Sequence, residues 1–323
     1  MPPPLGWIAP IDRTAAQQRA HFEARSSDAF VRHTLQPKQL ASGQAVRLFD
    51  LWKHPDVVAD VGFEYTRWHQ VTGSCVKAGA FNAAICTIAA QRVAGENPTK
   101  AFMPFLWHNY AMSRHYYGED GQGEGSMGST MARSLKEDGV RDYPVDRSDI
   151  LPDYKYSIQD GFEITDREEM QWSSYRNPGV SKVLEVSKAH LFGVSTECKS
   201  VEDILALVQN GYGITFACNN YIGSARVRGS GANARVVGKW DTRGGHQQSI
   251  LAVENNPDLG MLYWAQNNWF ADQYPADPGG GPVCGCWVTE SDVAAAMRYD
   301  AEVYAIGSLD WFPAQPKLMH WLI

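Results

Sequence analysis

Long apolar runs are missing from this sequence of 323 residues. No stretch approaches the ~18 apolar residues of a membrane-crossing helix, so no membrane span is expected. Basic runs are missing as well, and 36 acidic against 29 basic side chains leave a net charge of −7. Phosphate binding needs clustered Lys and Arg, so nucleic acid is not an expected partner. The start, Met1-Pro2-Pro3-Pro4-Leu5-Gly6-Trp7, lacks a basic region followed by an apolar stretch of roughly 7–15 residues. Cytosolic synthesis without a signal peptide is therefore the expectation. Cysteine is sparse: Cys75, Cys86, Cys198, Cys218, Cys284 and Cys286 are far from the density of a disulfide scaffold and read as free thiols. Cys284 and Cys286 form a C-x-C pair with no CxxC or His-rich cluster beside it, whereas structural zinc needs four ligands. Alternating burial on a strand is the simpler reading, and neither metal nor cofactor is expected. Repeats and low-complexity tracts are absent.

What is present is core-forming material. The 11 Trp, 14 Tyr and 12 Phe supply enough apolar area to fold without staples and exclude disorder as the default. Residues 1–45 read as an N-terminal arm, polar and helix-prone between Thr14 and Thr34. Residues 46–180 read as a helical lobe. There, Cys75 to Val93 is dense in Ala and ends before Gly95 and Pro98, as a buried central helix would. A second helix is expected from Met127 to Asp138, with Met127, Met131 and Leu135 at four-residue spacing and Gly139 as the stop. Residues 181–323 read as a β-rich lobe. Strands are expected at Val186–Gly193, Tyr212–Cys218, Gln247–Val253, Met261–Gln266, Cys286–Thr289 and Ala301–Gly307. One helix interrupts them, with Ser200 as N-cap, Asp203 three residues on and Gly211 as the stop. Arg226 to Trp240, centred on Gly229-Ser230-Gly231, reads as a projecting hairpin. The fold class is α+β.

Three short motifs carry possible chemistry. In Gly73-Ser74-Cys75 the cysteine opens the central helix, where positive partial charge and unpaired N–H groups favour a thiolate; an inert core cysteine is the competing reading. Gly244-Gly245-His246 leads into an apolar strand, and the glycines permit close approach to an imidazole; a histidine at a strand edge after a tight turn reads equally well. In Gln266-Asn267-Asn268-Trp269 an amide oxygen can fix an imidazole tautomer, with the indole excluding water; alone, such a pair is ordinarily a turn.

The order Cys, His, Asn gives these motifs their weight. From about Phe63 to Gly307 the chain resembles the papain-like cysteine peptidases, especially their bacterial and phage branch. Gly73-Ser74-Cys75 is similar to the family's nucleophile motif, Gly245-His246 to its histidine motif and Asn267-Asn268-Trp269 to its Asn-Ser-Trp motif. Phe105-Leu106-Trp107 followed by Gly123-Glu124-Gly125-Ser126 resembles the segment whose glycine-rich loop forms one wall of the substrate cleft.

The resemblance implies a papain-like fold with a cleft between the two lobes. It makes Cys75 the nucleophile, His246 the base and acid, and Asn267 the orienting group, with Gly123, Glu124, Gly125, Gly245 and Trp269 lining the substrate. The family's oxyanion glutamine lies six residues before its cysteine, at His69 here, while Gln70 lies five before; Gln70 is favoured because an amide is a neutral donor. The expected activity is hydrolysis of amide bonds in a peptide, a protein or a peptidoglycan peptide. Residues 1–45 precede the nucleophile as inhibitory propeptides do in that family, or serve as an assembly arm binding other subunits. The alternative function is a structural subunit of a phage particle or other large assembly, with a papain-like body and little turnover, incorporated into a virion.

Overall fold

The computed structural model describes residues 6–9, 14, 37–65, 70, 72–95, 100–142, 166–187, 195–270, 272–298 and 301–307. In chain order its elements are β1 (Ala45–Arg47), α1 (Pro55–Val61), α2 (Cys75–Val93), β2 (Pro104–Phe105), α3 (Trp107–Tyr116), α4 (Gly128–Glu137), β3 (Arg141–Asp142), α5 (Asp166–Trp172), α6 (Pro178–Ser187), β4 (Ser195–Glu197), α7 (Val201–Gln209), β5 (Ile214–Arg228), β6 (Arg235–Asn256), β7 (Gly260–Gln266), β8 (Gly285–Thr289), α8 (Glu290–Met297) and β9 (Glu302–Ile306). The fold is α+β, a helical half and an antiparallel-rich sheet meeting along one face of α2.

Every residue of α2 from Cys75 to Gln91 is buried. Alanine makes this possible, because it adds little bulk and favours the helix. The sheet can thereby come to hydrogen-bonding distance of the helix backbone: Ser249 Oγ donates to Gly79 O (2.8 Å) and Gln247 Nε2 to Val76 O (3.1 Å). Farther along, Thr87 Oγ1 donates to Ile306 O (2.7 Å) and accepts from Gly213 N (3.0 Å). The helix is thus pinned to three strands or their ends, which fixes its first residue relative to the sheet.

The sheet runs β4-β9-β5-β6-β7-β8, with β1 added on β6. Strand β6, 22 residues long, serves several partners. It faces β5 from Arg235 to Ile250, β7 from Ser249 to Asn256 and β1 at Ala252–Glu254. Pairing of Ser249 with Gln266 matters most, because the chain leaving β7 then enters Asn267 close to His246 on β6.

The helix at Cys75–Val93 has the expected limits, and the second occupies Gly128–Glu137. The capping box at Ser200 is formed, Asp203 N donating to Ser200 Oγ (3.1 Å) and Ser200 N to Asp203 Oδ2 (3.2 Å). The hairpin expected at Arg226–Trp240 joins β5 to β6 through a short turn at Gly231–Asn233, and Val227 near its tip is 51% exposed. All six cysteines are buried and stand outside any disulfide. One expected strand is corrected: Val186 and Ser187 end helix α6, while residues 188–193 lie outside the described set. Val180 and Val183, three apart, are both buried, a helical spacing that outweighs the local β-propensity of valine. The helix-prone part of the arm also lies outside the described residues, apart from Thr14.

Candidate active site

Cys75 is the first residue of α2, with Ser74 as N-cap. Ser74 does not cap its own helix through its side chain. Its hydroxyl instead donates to Glu169 on α5. The sulfur is wholly buried, and burial pushes the thiol up to about 12, against the pull of the peptide N–H groups of Gln247, Gly6, Val76 and Cys75 itself. The N–H of Gln247 brings the sulfur beside the residue that follows His246.

His246 is 1% exposed. Its Nε2 is 2.8 Å from Asn267 Oδ1, and its Nδ1 has no hydrogen-bond partner among the described residues. A neutral imidazole bonded this way carries its proton on Nε2 and a lone pair on Nδ1, the nitrogen able to take a proton from a thiol. Burial lowers the imidazole to about 4, with the Asn267 bond opposing. Burial thus favours the neutral form of both the Cys75 thiol and the His246 imidazole.

Asn267 is itself held. Its Nδ2 donates to Tyr274 Oη (3.0 Å), and that hydroxyl donates to Ile222 O (2.6 Å). Asn268 N also donates to Asn267 Oδ1 (2.8 Å), while Asn268 Nδ2 reaches Gln247 O (3.2 Å). Asn82 on α2 closes the circuit by donating to Asn268 Oδ1 (2.7 Å). Trp269 stacks on His246 with centroids 4.2 Å apart, and Tyr221 stands edge-on to both rings. The imidazole is thus oriented on one nitrogen and screened from water on one face.

Gln70 is buried, its N–H donating to Asn268 O (2.7 Å) and its Nε2 to Thr72 O (2.7 Å). His69 lies outside the described residues. The glycine-rich loop is strapped by Arg114, whose Nη1 donates to Glu124 O (2.8 Å) and Gly125 O (2.7 Å). Gly123 N donates to Ser173 Oγ (2.9 Å), and the Glu124 side chain faces solvent. Gly125 lies against Gly6 and Ile8, and Gly245 against Trp7, whereas Gly123 packs on the Arg114 guanidinium.

Residues 6–8 lie across the turn before Cys75, the glycine-rich loop and Gly245. Ser126 N donates to Gly6 O (2.7 Å) and Ile8 N donates to Ser126 O (2.8 Å), a parallel bridge between Trp7 and Ser126. A Cβ on Gly6 would lie 1.6 Å from Gly73 O, and one on Gly245 would lie 2.4 Å from Trp7 O. Both glycines are required by this close approach. The indole of Trp7 is 5% exposed and donates from Nε1 to Glu302 Oε2 (2.6 Å). Glu302, on β9, also accepts from Gly128 N (2.8 Å) and Ser129 Oγ (2.6 Å), so it caps α4 as well as holding Trp7.

Several of these groups escape a sequence reading. Trp7–Glu302 spans 295 positions and Ser74–Glu169 spans 95, distances over which no local pattern operates. Lys77 was the one available signal, a cation in the first turn of the Ala-rich helix. It is fully buried against Glu169 (2.5 Å) and its ammonium lies 3.0 Å from the Trp107 ring centroid. Burial lowers it to about 8, while Glu169 holds it up.

No family model matches this sequence, and no curated protein matches it. Solved structures do. Xylellain, a cysteine protease from Xylella fastidiosa, superposes with TM-score 0.53 at 14% identity, over 94% of this chain and 96% of that one. ProCathepsin B S9 from Trypanosoma congolense gives TM-score 0.51 at 12% identity, over 94% of each chain. The chain therefore has the papain-like fold, and no helix among its described residues is long and apolar enough to cross a membrane.

Proposed function

We propose that the chain is a papain-like cysteine peptidase or amidase, held latent by residues 6–9. The observation that carries this is His246, bonded to Asn267 through Nε2 and left without a partner on Nδ1, on the strand whose next N–H faces Cys75 sulfur. With the arm withdrawn, water and substrate reach the site, so desolvation no longer holds the thiol up and the imidazole down. The thiol proton passes to His246 Nδ1 and the sulfur attacks a carbonyl carbon, forming a C–S bond. The oxyanion falls to Cys75 N–H and to the Gln70 side-chain amide, which also holds Thr72 O. The imidazolium returns its proton to the departing amine as the C–N bond breaks, and water then cleaves the thioester.

The substrate is proposed to be an extended peptide, in a protein or in peptidoglycan. Ser126 supports this, since it offers one N–H and one C=O to backbone in the cleft, and the arm uses both. A bacterial or phage origin, cytosolic synthesis and virion incorporation belong to the same proposal. The second reading, an assembly subunit with little turnover, is favoured by the exposed hairpin tip at Val227. A peptide p-nitrophenyl ester separates the two when offered to the Trp7→Ala chain. An acyl increment on Cys75, seen by denaturing mass spectrometry and absent in the Cys75→Ser variant, is expected of the hydrolase. An unmodified Cys75 would contradict it and favour the assembly subunit.

A further inference from the structure

The carboxylate of Glu169 gathers three donors, two from the turn that delivers the nucleophile and one from the first turn of α2. Thr72 N donates to its Oε2 (3.2 Å), and Ser74 Oγ and Lys77 Nζ donate to its Oε1. Glu169 is 1% exposed and comes from α5, which has no sequence continuity with this turn. A carboxylate in such a place carries a large desolvation cost unless it is paired and fully bonded. Lys77, two residues past Cys75 and equally buried, supplies the pairing. The oxygens thus hold Thr72 through its N–H, while Gln70 Nε2 holds the same residue through its C=O.

We propose that Glu169 is a positioning residue for catalysis: it fixes the Thr72–Cys75 turn so that the Cys75 N–H and the Gln70 amide meet the oxyanion together. The inference rests on the hydrolase reading above. It separates two reactions of the same sulfur. Hydrolysis of an amide develops an oxyanion and needs the turn in register; alkylation by iodoacetamide displaces iodide without forming one. A merely structural Glu169 would affect both reactions or neither.

Glutamine cannot replace it, because one end of the amide becomes a donor facing Thr72 N or Ser74 Oγ. The single change would also strand Lys77 as an unpaired buried cation, so the test uses Glu169→Gln/Lys77→Met, which removes both charges. Ser74→Ala is the milder companion, deleting one donor and leaving the ion pair intact. Both are made in the Trp7→Ala chain and assayed on a fluorogenic peptide amide. The expected result is a kcat lower by about tenfold or more in the double variant and severalfold in Ser74→Ala, as for loss of part of an oxyanion contact. KM and the rate of Cys75 alkylation should stay within about twofold of the parent by the same argument. Unchanged kcat in both variants, or alkylation falling in step with kcat, would overturn the positioning role. A Trp7→Ala parent with no Cys75-dependent turnover would overturn the hydrolase reading itself, and this inference with it.

Discussion

Replacing Trp7 by alanine is expected to raise peptide-amide turnover by about a hundredfold. Trp7 anchors the arm with a buried indole and a 2.6 Å bond to the Glu302 carboxylate. Deleting a buried Trp side chain costs about 3 kcal/mol or more, and each ~1.4 kcal/mol is tenfold in an equilibrium. Arm docking should therefore weaken by about two orders of magnitude, and the open fraction rise accordingly until it saturates. The backbone pairing of Gly6 and Ile8 to Ser126 survives the substitution, so the arm still samples the cleft. The check is steady-state hydrolysis of a fluorogenic peptide amide by both proteins. Equal rates would mean that residues 6–9 are not what restrains the site.

His246→Ala, in the Trp7→Ala chain, is expected to cut that turnover by about 10²–10⁴-fold, the usual share of a general acid and base. Asn267→Ala should cost less, because Asn267 orients the ring and exchanges no proton. The histidine also leaves an acid signature on the intact chain. Its folded value of about 4 lies below the unfolded value of ~6.5, so the unfolded chain binds more protons between these limits. Its contribution to stability is present above pH ~6.5 and is lost as pH falls towards 4. Denaturant midpoints measured across that window should fall less steeply in His246→Ala than in the parent. Matching slopes would mean that His246 is not buried in its neutral form.

Much of the frame could be read from residue order. The Ala-rich run beginning at Cys75 and stopping before Gly95 is a helix because small side chains, an N-terminal turn and a glycine stop all agree locally. Ser200 with Asp203, and the glycines around Ser230, carry equally local instructions. The short apolar runs within Gln247–Val253 and Met261–Gln266 mark strands, and their register brings Asn267 to His246. The valines near Val186 misled because β-propensity is weak against the buried helical spacing of Val180 and Val183. Illegible throughout were the contacts of buried carboxylates with distant donors. Nothing near Glu169 announces Ser74 or Lys77, and nothing near Glu302 announces Trp7, since burial of each pair exists only once α5 and β9 have docked. Trp7 itself sits in a Pro-rich start whose local sequence suggests no cleft.

The most direct measurement is the rate of iodoacetamide labelling at Cys75, mapped by mass spectrometry from about pH 4 to 9 in the intact chain, in Trp7→Ala and in Trp7→Ala/His246→Ala. Burial holds the intact chain's thiol at about 12, so its labelling should be slow throughout. Trp7→Ala should label fast and stay fast below about pH 7, as a thiolate paired with an imidazolium does. Removal of His246 should return the onset to an ordinary thiol value near ~8.5. One profile shared by all three proteins would contradict the account, leaving Cys75 a core thiol and the papain-like body without its dyad.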